Sequence, residues 1–337
     1  MATPTLRILR QFYGRDTQLI GIMRPYVAEV LSGTDWINNI FPYDRRSNDS
    51  SIGTVSLIRR LRKTRLDSVL LLTNSLRSAA IARVSQVPQR IGYVRYGRGF
   101  LLTERLYPPR DGFQLEPVSA LDYYLNLAQS VGATVDSRQT QLATTSAEEQ
   151  QADAIWDQIG FGSGRQVVAL NTGGAYGSAK QWPLEYFATL AARLTRELNA
   201  HVVVLCGPAE VSSAERIVEL ANSDQVKSLA GKKVSIGLSK AIVKRSDLLI
   251  STDSGPRHFG AAFNVPTITL FGPTDPRWSE NYHQNAIHLS REVACGPCAE
   301  RSCPIGHHRC MRELTVDHVF NAANHLIQRT QSSRHVA

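Results

Sequence analysis

The sequence predicts an α/β protein of two doubly wound domains facing each other across a cleft. Three observations carry that expectation. Short apolar, β-branched runs alternate with amphipathic helical stretches, the rhythm of parallel strands buried on both faces. The rhythm occurs twice in 337 residues, enough for two domains of ordinary size. Several apolar runs also end in polar, Gly-containing turns, which a parallel sheet gathers along one edge.

In the first domain, residues 1–145, apolar runs and helical patterns alternate through QLIGIMR, YVAEVLSG, NNIFPYD, SLIRRLRKTR, LDSVLLLTN and SLRSAAIARVSQV. The polar stretch Thr140–Gln150 reads as the link, and could itself start a helix. The second domain, residues 151–314, repeats the pattern more cleanly. Gln166–Asn171, His201–Cys206, Asp247–Ser251 and Val265–Phe271 read as strands. Pro183–Leu198, Glu210–Ala221 and Ser239–Arg245 read as helices. A last amphipathic helix, Thr315–Gln328, lies in the closing segment 315–337.

Charged residues make up 20% and hydrophobic ones 42%, the balance of a globular rather than a disordered chain. No apolar run reaches the roughly 18 to 20 residues that span a bilayer. MATPTLRILRQF has neither the apolar core nor the cleavage site of a signal peptide, so a cytoplasmic protein with mostly reduced cysteines is expected. The net charge of +9 is uneven. Residues 1–115 hold 17 Arg and 1 Lys against 8 acidic residues, a net of +10, which leaves the remainder near −1. A basic half beside a neutral one suggests an anionic partner for the first domain, or else a solvated face. Aromatics are 7% and do not interleave with the Arg clusters, which disfavours nucleic acid. Neither G-x-x-x-x-G-K-[ST] nor a strand-following G-x-G-x-x-G occurs, so a nucleotide must be held in another way.

Four strand ends of the second domain carry polar groups. QVVALN runs into TGGAYGSAKQWP, which supplies Thr172, Gly173, Gly174 and Lys180. HVVVLC is followed by Gly207-Pro208-Ala209-Glu210, and Ser228-Leu229 by Ala230-Gly231-Lys232. LLIS leads into Thr252-Asp253-Ser254-Gly255 and then His258. Glycines allow close backbone approach, helix starts favour anions, and a lysine adds a point charge. Together they suit a sugar nucleotide. Lys180 as a surface residue, Glu210 as a helix-start carboxylate and His258 as a packed histidine are the plainer alternatives. On the first domain, Asn74, Ser75 and Arg77 follow the run VLLLT, and Arg90, Tyr93, Arg95 and Arg98 cluster shortly after.

The strings GGAYGSAKQWPLEYFATLAARL, VVVLCGPAE and STDSGPRHFGAAFNVPTITLFGPTDPRW resemble the ADP-heptose:lipopolysaccharide heptosyltransferase family. MRPYVAEVL, DSVLLLTNSLRSAAIARV and PQRIGYVRYGRGFLLTERL are similar to the acceptor half of its second-heptose enzymes. The resemblance implies a GT-B fold of two Rossmann-like domains and metal-independent, inverting transfer of heptose from ADP-heptose without a required cofactor. It implies an anionic lipopolysaccharide inner-core acceptor, reached from the cytoplasm at the inner face of the inner membrane. By position, Lys180 would contact donor phosphate and support catalysis, and Glu210 the adenosine ribose. Asp253, Ser254, Gly255 and His258 would hold the sugar diphosphate. Thr172, Gly173, Gly174 and Gly231 complete the donor set, and Asn74, Ser75, Arg77, Arg90 and Arg98 form the acceptor set. The family pattern starts with a strand and a Gly-Asp turn whose Asp is the general base. MATPTLRILRQF resembles the helix after that turn, so that first strand and base are absent and an upstream natural start is expected. A GT-B transferase with another nucleotide sugar or acceptor, and a catalytically impaired sugar-nucleotide-binding homologue, are the alternatives.

Cys295, Cys298, Cys303 and Cys310 form C-x₂-C-x₄-C-x₆-C, with His307 and His308 inside the last interval. The spacing is compatible with a structural zinc knuckle, with packed or redox-sensitive thiols, and with a disulfide. A zinc-knuckle RNA binder would need stacking aromatics as well.

Overall fold

The apolar runs of the second half become a six-stranded parallel sheet. A computed structural model describes residues 1–161, 164–174 and 176–334. The chain divides into one unit of Met1–Arg138 with Arg277–Glu280, and another of Gln139–Pro276 with the chain from Asn281 onward.

The first unit opens with helix α1 (Thr3–Tyr13), followed by β1 (Ile20–Met23), α2 (Pro25–Leu31) and β2 (Asn39–Pro42). Then come α3 (Thr54–Thr64), β3 (Ser68–Leu71), α4 (Leu76–Val84), β4 (Gln89–Tyr93) and β5 (Glu104–Leu106). A hairpin of β6 (Arg110–Asp111) and β7 (Gln114–Leu115) precedes α5 (Ala120–Ser130). The parallel strands lie in two sheets, β1-β2 and β3-β4-β5. Ile8 and Leu9 of α1 pack on Leu121, Leu125 and Ala128 of α5, and Leu57 and Leu61 of α3 on Ile81 of α4. Each helix therefore buries the apolar stripe that its sequence spacing provides.

In the second unit α6 (Ser146–Ile159) starts inside the polar link, because Thr145 and Glu148 form a capping box. The order continues β8 (Val167–Asn171), α7 (Leu184–Glu197), β9 (His201–Leu205), α8 (Val211–Ala221), β10 (Val226–Ser228) and α9 (Ile236–Arg245). It ends β11 (Leu248–Thr252), α10 (Arg257–Ala262), β12 (Thr267–Phe271), β13 (Ala286–Ser290), α11 (Arg309–Arg312) and α12 (Val316–Arg334). Helix α9 begins a turn earlier than its sequence pattern suggests, since Ser235 caps it by accepting from Leu238 N–H.

The sheet order is β10-β9-β8-β11-β12-β13. Every residue of β8, β9, β11 and β12 is buried, as continuous apolar runs require. The chain builds outward from β8 to β10, returns to pair β11 with β8, then builds the other way. The order reverses between β8 and β11, and in open α/β sheets ligands bind outside the carboxyl ends of the strands at that switch point.

Candidate functional site

The loops that leave β8 and β11 meet at the switch point. Asn171, the last residue of β8, donates through Nδ2 to Ser251 Oγ (3.0 Å), Ser254 Oγ (2.7 Å) and Gly173 O (3.3 Å). Thr252 Oγ1 donates to Gly173 O at 2.8 Å. These bonds lock the TGG turn to the TDSG turn. A Cβ on Gly174 would sit 3.2 Å from Ser254 Cβ, so the close approach depends on glycine.

Lys180 ends a short 3₁₀ turn, Ser178–Lys180. Its ammonium lies 2.5 Å from Asp253 Oδ2 and 3.1 Å from Asp253 O, over the Tyr176 ring at 4.4 Å. Both side chains are largely buried, at 12% and 7% exposure. Thr274 Oγ1 donates to the same carboxylate at 2.8 Å, and Arg257 Nη1 lies 3.4 Å from its other oxygen. Burial pushes the Asp253 carboxyl up, but Lys180, Arg257 and Thr274 more than offset it, and it stays below the usual carboxylate range. Arg257 itself is buried, 3.2 Å from Thr269 Oγ1 and 3.3 Å from His288 Nε2, with the Phe271 ring beneath.

Glu210 reaches back so that Gly207 N–H donates to its Oε2 at 2.8 Å. Its carboxylate occupies the space that a Cβ on Gly173 would need, which joins the loops after β8 and β9. Thr172 is buried beneath, and Gly255 is exposed at the start of α10. His258 accepts at Nδ1 from Asn281 Nδ2 (3.1 Å), and burial pushes its pKa well below the ordinary value. Gly231 has φ +71 and open space around it, and its neighbour Lys232 bonds Gln158 at 2.9 Å.

The structure thus brings Thr172, Gly173, Gly174, Lys180, Glu210, Asp253 and Ser254 together where the loops meet at the carboxyl edge of the sheet, with Gly255 and His258 on the α10 side. Gly231 sits in the next loop along the edge. Asn171, Arg257, Thr274 and Asn281 belong to the same network and were not singled out from sequence. Asn171 carried a usable signal, an amide closing an apolar run. The other three look like ordinary surface residues in a string.

On the first unit, Asn74 Oδ1 accepts from Arg98 Nη2 and Tyr123 Oη, each at 3.2 Å. Ser75 caps α4 by accepting from Ser78 N–H (3.1 Å), and Arg77 is exposed on its first turn. Two arginines are placed otherwise than the sequence suggested. Arg98 is fully buried and donates to Tyr93 O (2.9 Å) and Thr73 O, so it holds the loop from beneath. Arg90 stands at the amino end of β4, away from Asn74, and donates to Leu101 O (2.7 Å), Val87 O (2.5 Å) and Pro88 O (3.0 Å). Each guanidinium satisfies backbone carbonyls rather than facing a ligand.

All five cysteines are free thiols. Cys295, Cys298, Cys303 and Cys310 line one pocket with His307 and His308. Cys295 Sγ is 3.7 Å from His307 Nε2, and His308 Nε2 is buried without a hydrogen-bond partner. Among the described residues no three His, Cys, Asp or Glu side chains converge as a metal shell.

The parallel α/β sheet thus sets a lysine, a carboxylate and glycine turns at its switch point, where open α/β sheets hold ligands. The whole chain superposes on the structure of E. coli ADP-heptose lps heptosyltransferase II with TM-score 0.78 at 21% identity, covering 98% of this chain and 95% of that one. That likeness places it in the GT-B class of folds. The family model for glycosyltransferase family 9 (heptosyltransferase) matches residues 54–308, and the chain belongs to that family. It is 33% identical to the lipooligosaccharide heptosyltransferase 2 of Campylobacter jejuni over 171 residues, 49% of this chain and 52% of the relative. The chain thus spans about half the length of that relative. Identity to the lipopolysaccharide heptosyltransferase 2 of Escherichia coli K12 is 26% over 328 residues, 92% of this chain and 90% of the relative.

Proposed function

We propose that this chain transfers heptose from ADP-heptose to the anionic inner core of lipopolysaccharide, with inversion at the anomeric carbon. The observation that carries the reading is the Lys180–Asp253 pair spanning the switch point between β8 and β11. An ammonium has three donors. Two reach Asp253, and the third is given to a diphosphate oxygen, with Asp253 holding the lysine in place. The Glu210 carboxylate, joined to Gly173 at the crevice wall, takes the ribose hydroxyls. Ser254 and Gly255 present backbone N–H groups to the sugar diphosphate, and His258 closes that side. As the anomeric bond breaks, charge develops on the leaving diphosphate, and a lysine fixed beforehand stabilises it without reorganisation.

The first unit takes the acceptor through Asn74, Ser75 and Arg77, with Arg98 and Arg90 shaping the loops behind them. Transfer to a lipid-linked sugar places the enzyme at the inner face of the inner membrane, as a peripheral protein. Among the described residues no helix is long and apolar enough to cross a membrane. A structural zinc on Cys295, Cys298, Cys303 and Cys310 is supported by their spacing and by the one pocket that they line, and would have to draw the thiols together. Elemental analysis of protein purified without chelator decides it: one equivalent per chain supports the site, and none removes it.

Displacement of labelled ADP tests the donor. ADP-heptose is expected to compete at least about tenfold better than UDP- or GDP-sugars, and Lys180→Ala to weaken its binding by a similar factor. Equal competition by all three nucleotide sugars would sink the assignment.

A further inference from the structure

We infer that the loops after β4 and β5, with the β6–β7 hairpin, form a docking surface for an anionic phospholipid bilayer. Tyr96, Phe100, Tyr107 and Phe113 are 72%, 74%, 70% and 100% exposed, the four most exposed large hydrophobics among the described residues. They fall within one segment, residues 96–113: Tyr96 and Tyr107 follow the carboxyl ends of β4 and β5, where Val94 N–H bonds Leu106 O at 2.7 Å, Phe100 stands on the connection between these strands, and Phe113 on the hairpin that follows. Isolated exposed apolar side chains need no explanation, but a group of four aromatics does.

The segment is built to hold them out. Arg98, buried beneath the first loop, anchors it to Tyr93 O and Thr73 O, and Leu102 is buried two residues after Phe100. The hairpin pairs Asp111 with Gln114 around a turn of Gly112 (φ +56) and Phe113, and Arg110 Nη1 donates to Phe113 O at 3.2 Å. Phe113 is therefore presented at a tip. Arginines stand among the rings. Arg95 is 4.9 Å from the Tyr96 ring centroid, and Arg105 and Arg110 are exposed, beside the exposed carboxylates Asp111 in the hairpin and Glu116 at its base. Aromatic side chains favour the headgroup level of a bilayer, and arginines there are drawn to anionic lipid.

The expectation that aromatics avoid the Arg clusters fails in this segment, so single-stranded nucleic acid is the rival occupant. Stacking platforms track a groove with their aromatics. Here Tyr96 and Phe113 stand on turns and Phe100 on a single 3₁₀ turn, which suits insertion into a soft interface. The inference rests on the lipid-linked acceptor of the proposed function, yet needs neither donor nor acceptor for its test.

Flotation of the full chain with phosphatidylcholine vesicles, with and without phosphatidylglycerol, measures the contact. Binding should require phosphatidylglycerol and fall with salt. Phe100→Ser with Phe113→Ser should lower it by at least about tenfold, and Arg105→Gln with Arg110→Gln by a comparable factor. Unchanged circular dichroism and ADP-heptose affinity exclude misfolding. A Phe113→Trp variant should be quenched by brominated phosphatidylglycerol. No anionic-vesicle binding, variants that bind as well as the parent, or variant-sensitive binding of an oligonucleotide in place of vesicles would each overturn the inference.

Discussion

Lys180 and Asp253 show how a residue pair can be read as chemistry in sequence and as architecture in structure. Their positions at two strand ends mark them for a ligand, yet only the fold reveals the ion pair, with Arg257 and Thr274 behind it. Removing one partner of a buried pair costs about 3 to 5 kcal/mol because the other charge is left behind. Lys180→Met alone is therefore expected to lower unfolding stability by a substantial part of that range, softened by the remaining Arg257. Adding Asp253→Asn removes the carboxylate left behind but also takes it from the buried Arg257, so it should return only part of the stability and none of the donor affinity. Urea denaturation and ADP-heptose titration on the two single variants and the double variant check this. Recovery of donor affinity in the double variant would mean that Lys180 acts only on the fold. Arginines were harder to read. Arg90, Arg95 and Arg98 sit within nine positions, but proximity in sequence says nothing about direction. Two of the three turn inward to backbone carbonyls.

At the scale of elements, β8, β9, β11 and β12 were legible because each is buried on both faces and reads as a largely apolar run. The three-residue β5 and the half-exposed edge strand β13 lacked that signal. Helices were legible in their interiors and blurred at their starts, where caps such as Thr145 and Ser235 decide the first turn. Helix α6 illustrates the consequence. Glu149 on its first turn lies 2.7 Å from Lys244 Nζ and 2.6 Å from Arg245 Nη2 on α9, and Asp153 lies 2.7 Å from Arg245 Nη1. Burial raises the Glu149 carboxyl, but Lys244, Thr144 and Arg245 overcome it and pull it from 4.5 down to about 2. A carboxyl depressed on folding contributes stability that is complete above its unfolded value. That contribution fades as pH falls through the folded one. The α6–α9 clamp should therefore hold above about pH 4.5 and weaken steadily toward pH 2. Glu149→Gln should be less stable at neutral pH by about 1 to 2 kcal/mol, allowing for solvent screening. The difference from the parent should shrink as acid is added. Urea midpoints at neutral pH and near pH 3 measure it, and a gap that widens in acid would reverse the sign of the argument.

For the whole molecule, the uneven charge becomes more specific once the fold is known. Of the 17 arginines in residues 1–115, Arg10 is buried against Trp36 O, Gly14 O and Thr17 O, and Arg90 and Arg98 hold carbonyls as described. Hydrogen bonding to a carbonyl does not neutralise a guanidinium, so the +10 persists as a field although fewer side chains can touch a ligand. The field and the pocket should then respond differently to salt. Raising ionic strength from about 0.05 M to about 0.5 M shortens the Debye length from roughly 14 Å to roughly 4 Å, which erases attraction between distant exposed charges. On the proposed reading, capture of an anionic inner-core acceptor by the first unit depends on that attraction, and its association should slow by about tenfold. The donor contact proposed for Lys180, which is largely buried beside Asp253, would be screened much less and should weaken by no more than about threefold. Stopped-flow binding of acceptor, set beside equilibrium titration of ADP-heptose across the same salt series, separates the two. Equal slopes would mean that the basic half acts on both ligands alike, and the division of labour between the units would have to be redrawn.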